Sequence, residues 1–169
     1  MGAIAFTAAP SLVFASFPSK NRTGKLSFFN VNTNEKINNV RYVKDSGQFD
    51  KTALKELNHF FRCTYDGAVH SIDPGLFYWL DIIKTQMGFP DARYRLYSGY
   101  RSPKYNRLLR KSGYRAAKNS MHLQGRAADI TLEGIDLKKL AEKAKSLQFG
   151  GVSKYRSFIH VDVGFNRTW

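Results

Sequence analysis

Four histidines occur in the 169-residue chain, and two of them, His122 in SMHLQGRAAD and His160 in FIHVDVG, stand among residue types suited to metal chemistry. A catalytic zinc site takes three protein donors, imidazole nitrogens or carboxylate oxygens at about 2.0–2.2 Å, and keeps one position for water. His122, His160 and Asp129 would fill that set. His122 and Asp129 are seven residues apart, about 23 Å if the chain were extended, whereas the ligands of one ion lie a few ångströms from one another. The chain must therefore fold back between them. Gly125 is where a bend costs least, and Ala127 and Ala128 leave room beside the returning segment. Asp129 follows two alanines in an apolar run, and a buried carboxylate without a partner is heavily penalised, so its place asks for a cation. His160 would arrive on a neighbouring strand and share a face with Phe158 and Asp162, because side chains alternate along a strand.

The elements that must position these residues can be read from periodicity and punctuation. LSFFNVNTNEKI, ending at Ile37, alternates loosely around Asn32-Thr33-Asn34 and predicts a hairpin. Asp50 stands at an N-cap position before KTALKELNHFFRC, where Leu54, Leu57, Phe60 and Phe61 recur at helical spacing. Asp73-Pro74 opens a second helix, PGLFYWLDIIKTQM, that ends before Gly88 and Pro90. RYRLYS over 93–98 reads as a strand, Ser102-Pro103 opens a third helix, and Gly113 closes it. RAADITLEG reads as a buried strand. Asp136 caps a helix with Leu137, Leu140, Ala141, Ala144 and Leu147 on one face, and Gly150-Gly151 leads into FIHVDV as the last strand. Helices early and strands late predict an α+β fold, a single compact domain with helices packed on a mostly antiparallel sheet.

Composition narrows the class further. Apolar residues make up 43% and aromatic ones 14%, enough to build one core at this length. Lys and Arg outnumber Asp and Glu by 27 to 13, and the resulting +14 attracts polyanions. Nucleic acid, anionic lipid headgroups and an acidic wall polymer all qualify; the basic residues are scattered without a nucleic-acid recognition motif, which counts against the first, and charge alone chooses nothing further. The single cysteine, Cys63, excludes an internal disulfide and a Cys-rich metal site, and reads as half-buried filler on a helix. Residues 1–15, uncharged and ending in Val13-Phe14-Ala15, read as a secretory signal remnant without its basic start, which leaves 16–169 as the domain. Pro10 interrupts the apolar run, which is too short for a stable membrane span.

The run from Ser120 through His122 and Gly125 to Ala127 and Asp129 resembles the S-x-H-x-x-G-x-A-x-D motif of the M15 zinc peptidases. LYSGYRSPKYN at 96–106 is similar to the family's strand and arginine-bearing turn, and FIHVD at 158–162 to its second histidine strand. LNHFFR, SIDPGLF and Gly150-Gly151-Val152 extend the likeness to the branch once called DUF882, from about Lys25 to Trp169. The resemblance implies periplasmic export, one Zn2+ held by His122, Asp129 and His160, and hydrolysis of D-Ala to diaminopimelate or diaminopimelate to diaminopimelate cross-links between peptidoglycan stem peptides. It implies Arg101 as the group that meets charge on the carbonyl oxygen or on a stem carboxylate, a task its planar fork suits.

Ser120 and Tyr100 are further candidates for contact with the peptide. Many M15 enzymes carry an acidic general base three residues before the second histidine and some another histidine two before it; here these positions are Ser157 and Phe158. Asp162 is then a candidate base, or a partner that orients His160. His59 and His70 read as surface or packing residues. Beside the endopeptidase stand a catalytically silent zinc-binding wall module, which the unassigned base keeps open, and a basic nucleic-acid-binding domain. A monomer is the default expectation.

Overall fold

The computed structural model describes residues 22–114 and 116–168. The expected leader at 1–15 and the domain start at residue 16 lie outside the described residues. Asn30 closes the first hairpin. Its side chain accepts from the amides of Asn32 and Thr33, so that β1 (Lys25–Asn30) turns back antiparallel into β2 (Lys36–Arg41). Asp50 accepts from the amides of Thr52 and Ala53 at the start of α1 (Lys51–Phe60), and Asp73 with Pro74 starts α2 (Pro74–Gln86). Then follow β3 (Tyr94–Ser98), α3 (Pro103–Lys111) capped by Ser102, β4 (Ala127–Leu132), α4 (Leu137–Ser146) capped by Asp136, β5 (Gly151–Lys154), β6 (Ile159–Asp162) and β7 (Arg167–Thr168).

The strands form one seven-stranded sheet in the order β2-β1-β3-β4-β6-β5-β7. Only β1 with β3 and β5 with β7 run parallel, so the α+β fold with a mostly antiparallel sheet is as expected. Three details differ from the sequence reading. Strands are not confined to the second half, because the early hairpin enters the sheet through β1 beside β3. The last strand is a hairpin, with Gly151–Lys154 forming β5 and the Tyr155 amide bonding the Phe158 carbonyl across the turn. Four residues with one strong β former carry too little periodicity to be read alone; pairing with β6 makes them a strand. Finally, α1 stops at Phe60, and Cys63 lies wholly buried in the loop beyond it.

Alternation gives the sheet two chemically distinct faces. Phe28, Leu96, Ile130, Ile159 and Val161 point into the core and meet Leu57, Phe61, Phe77, Trp79 and Leu140 from the helices. Phe28 sits at its centre, edge-on to Phe61 at 5.0 Å and stacked on Tyr94 at 5.9 Å between centroids. α2 is buried along Gly75 to Lys84, and its one carboxylate, Asp81, is satisfied by Thr23, the Gly24 amide and the Tyr42 hydroxyl. Phe28→Ala is expected to lower stability by about 3–5 kcal/mol, since no neighbour in so dense a core can refill an aromatic cavity. A denaturant titration checks it, with the midpoint falling and the slope unchanged. The opposite face of the sheet carries Asp129, His160 and Asp162.

Candidate metal centre

His122 reaches the sheet from a single 3-10 turn, Met121–Gln124, whose first amides are capped by Ser120; its Oγ accepts from the His122 amide at 3.3 Å. Gly125 ends the turn at φ +65°, the left-handed region that L side chains rarely adopt, and a Cβ there would strike the Ser71 carbonyl oxygen. The expected fold-back is thus real, and glycine is required twice over at its apex. β4 then carries Asp129 to a place directly opposite His160 on β6. Gly125→Ala is expected to destabilise by more than about 1 kcal/mol, read as a lower thermal midpoint with weaker metal retention.

Three donor atoms converge. His122 Nε2 is 3.2 Å from Asp129 Oδ1 and 3.2 Å from His160 Nδ1, and His160 Nδ1 is 2.9 Å from the same Asp129 oxygen. Tetrahedral ligands at zinc distances lie roughly 3.3–3.6 Å apart, so this triangle is only slightly tighter than one face of such a site. His122, Asp129 and His160 are all buried. The partners of the other ring nitrogens fix the tautomers. His122 Nδ1 meets the Gly99 carbonyl oxygen at 2.6 Å, which can only accept, so Nδ1 carries the proton and Nε2 is free to ligate. His160 Nε2 meets Asp162 Oδ2 at 3.0 Å, which leaves Nδ1 to face the centre.

Electrostatics set the two histidines apart. Burial pushes His122 below its ordinary pKa and so keeps it neutral, the form that can donate a lone pair. Burial also acts to lower His160, but Asp129 and Asp162 outweigh it and raise the group, so a positive charge is favoured where the two carboxylates flank the ring. For Asp129, burial acts upward, yet the two histidines and Arg101 hold its carboxyl well below the usual range. The cluster is therefore a buried pit lined by two ring nitrogens and a carboxylate oxygen, in which a divalent cation fits by donor type, number and spacing.

Residues 18–169 match the M15 peptidase family model described as "Peptidoglycan L,D-endopeptidase MepK". The chain belongs to the M15 peptidase family. It is accordingly a metallopeptidase. A relative from Haemophilus influenzae named "Probable peptidoglycan L,D-endopeptidase MepK" is 37% identical over 146 residues, covering 85% of this chain and 77% of its own. The Escherichia coli K12 protein named "Peptidoglycan L,D-endopeptidase MepK" is 36% identical over 173 residues, covering all of this chain and 93% of its own.

Within the M15 domain the other expected residues take unequal places. Arg101 is brought to the centre, but onto Asp129: its Nη2 donates to Asp129 Oδ2 and its Nε to Ser98 Oγ at 2.9 Å. Asp162 is fully buried, with Oδ2 accepting from His160 and from Arg167 Nη2 at 2.9 Å, and Oδ1 accepting from the Gly164 amide at 2.9 Å. Both its oxygens are thus engaged. Ser120 points into its own turn. The Tyr100 ring is stacked on His70 with centroids 4.7 Å apart, beside the Gly125 turn. His59 is exposed on α1, and Ser157 is exposed in the β5–β6 turn.

Sequence reasoning missed the groups that hold the clustered side chains from behind. The Gly99 carbonyl had no side chain to announce it, and Ser98 was only a strand residue. Arg167 had no periodic relation to Asp162. Gly150, Gly151 and Gly164 were the available signal: a Cβ on Gly150 would strike the Asp162 carbonyl oxygen, and one on Gly151 or Gly164 its carboxylate at 2.5 or 2.6 Å.

Proposed function

We propose that this M15 peptidase is a zinc-dependent murein endopeptidase that acts in the periplasm on the peptide cross-links of peptidoglycan. The observation that carries the reading is the meeting of His122 Nε2, Asp129 Oδ1 and His160 Nδ1 on one face of the sheet. The names of the relatives support the substrate, and their L,D designation favours the diaminopimelate to diaminopimelate bond of the two cross-links that the resemblance implies. A +14 chain suits export to an acidic wall polymer, and among the described residues no helix is long and apolar enough to cross a membrane. A monomer with a domain starting near residue 16 is the matching assembly.

His122, Asp129 and His160 would hold the zinc, which supplies Lewis acidity toward the scissile carbonyl and a water acidified toward neutral pH. The chain's own residues do the rest. The Gly99 carbonyl and Asp162 fix the two imidazole tautomers, so the right nitrogens face inward. Arg101 neutralises the outer oxygen of Asp129; its short reach from that oxygen lets the same guanidinium turn toward charge growing on the substrate carbonyl. Ser120 keeps the His122 turn wound, and the Tyr100 and His70 pair offers a flat surface beside it for the peptide.

Digestion of purified cross-linked murein, with and without a chelator, tests this. Conversion of dimeric to monomeric muropeptides that stops on metal removal and returns with zinc is the expected result. Stoichiometric zinc without any cleavage would sink it in favour of the silent wall-binding module.

A further inference from the structure

We infer that the sheet carries, one row away from the metal centre, a subsite in which Arg95 with Lys36 recognises a carboxylate of the stem peptide beside the scissile bond; the identity of the ligand rests on the endopeptidase reading above. The row holding the centre runs across the sheet through Ser98, Asp129 and His160, which are register partners. Two residues further along β4 lies Thr131, on the same face as Asp129 and about 7 Å away. Thr131 stands opposite Arg95, Arg95 opposite Phe29, and Phe29 opposite Lys36. A second row of side chains therefore runs parallel to the first on the open face.

That row concentrates positive charge on one aromatic ring. The Arg95 guanidinium lies 4.9 Å from the Phe29 ring centroid and the Lys36 ammonium 5.7 Å from it. Neither cation has a carboxylate within ion-pair distance among the described residues, and the nearest acids on adjoining strands and turns are engaged elsewhere, Glu133 with Arg93 at 3.7 Å and Glu35 with Arg62 at 2.8 Å. Two like charges on one ring repel one another unless an anion joins them. Stacking on Phe29 also orders the Arg95 fork and leaves its N–H edge to meet a carboxylate with two bonds. Tyr97, two residues along β3 from Arg95, has its ring 5.5 Å from that of Phe158, and the pair offers apolar area to the aliphatic part of the same residue. A half-buried, ring-mounted arginine with no ion-pair partner among the described residues differs from the exposed cations elsewhere on the surface, and its row is the one next to the centre.

The test uses a cross-linked stem-peptide dimer without sugar, as the free acid and with its carboxylates converted to amides. Cleavage and calorimetric binding are measured for the wild type, Arg95→Ala and Arg95→Lys. The expected wild-type preference for the acid is about tenfold. Arg95→Ala should abolish it by raising KM on the acid with kcat retained, and Arg95→Lys should restore part of it. A preference that survives in Arg95→Ala, or is absent from the wild type, would overturn the subsite. If the wild type cuts neither peptide, the endopeptidase reading fails while calorimetry still decides: Arg95-dependent preference upholds the subsite, and its absence removes it.

Discussion

His122→Ala is expected to reduce cross-link hydrolysis by at least roughly a thousandfold, because the several kcal/mol of charge stabilisation that a bound metal supplies corresponds to that factor in rate. The loss has a structural source beyond one missing nitrogen. His122 Nε2 is one of three atoms in the triangle, and the remaining pair, Asp129 and His160, already meet at 2.9 Å. A two-donor remnant holds a cation poorly and leaves the Gly99 carbonyl without the ring that it fixes. The measurement is release of monomeric muropeptides by wild type and variant at equal zinc, with bound metal counted in both. Retained activity in a variant shown to bind no metal would refute the assignment of this cluster as the catalytic centre. Near-identical circular dichroism is expected, since the turn that bears His122 lies outside the helix-facing core.

Asp162→Ala carries the second largest effect. A carboxylate behind a metal-ligating imidazole fixes its tautomer and raises its basicity, and loss of such a group costs about 10–100-fold in metal affinity or activity. Here Asp162 also collects Arg167 and the Gly164 amide, and three glycines crowd its backbone and carboxylate, so the carboxylate is held as firmly as the histidine that it orients. The expected signature is weaker zinc binding, with activity partly regained at high zinc. An Asp162 that acted as the general base would instead cost activity at every zinc concentration with binding unchanged, and that split separates the two roles.

Much of this protein was written locally. Asp50, Asp73, Ser102 and Asp136 each begin a helix by a bond that reaches only two or three residues, and the apolar stripes behind them are equally local. The cluster residues too were legible, because His122, Gly125 and Asp129 lie within one short run whose types suit a metal and a bend, and the motif likeness placed His160 with them. What the sequence could not decide depends on contacts between distant segments. β5 is a strand only because β6 pairs with it, and the early hairpin belongs to the same sheet only because β1 lies beside β3. The sequence left Asp162 as a base or a support, and only the fold shows it between His160 and Arg167. Arg101 became a partner of Asp129 through a separation of 28 residues. Short-range geometry fixes helix caps and turns at a cost paid within a few residues, whereas burial, pairing register and the tautomer of a ligand are set by whichever distant group the closed chain brings alongside.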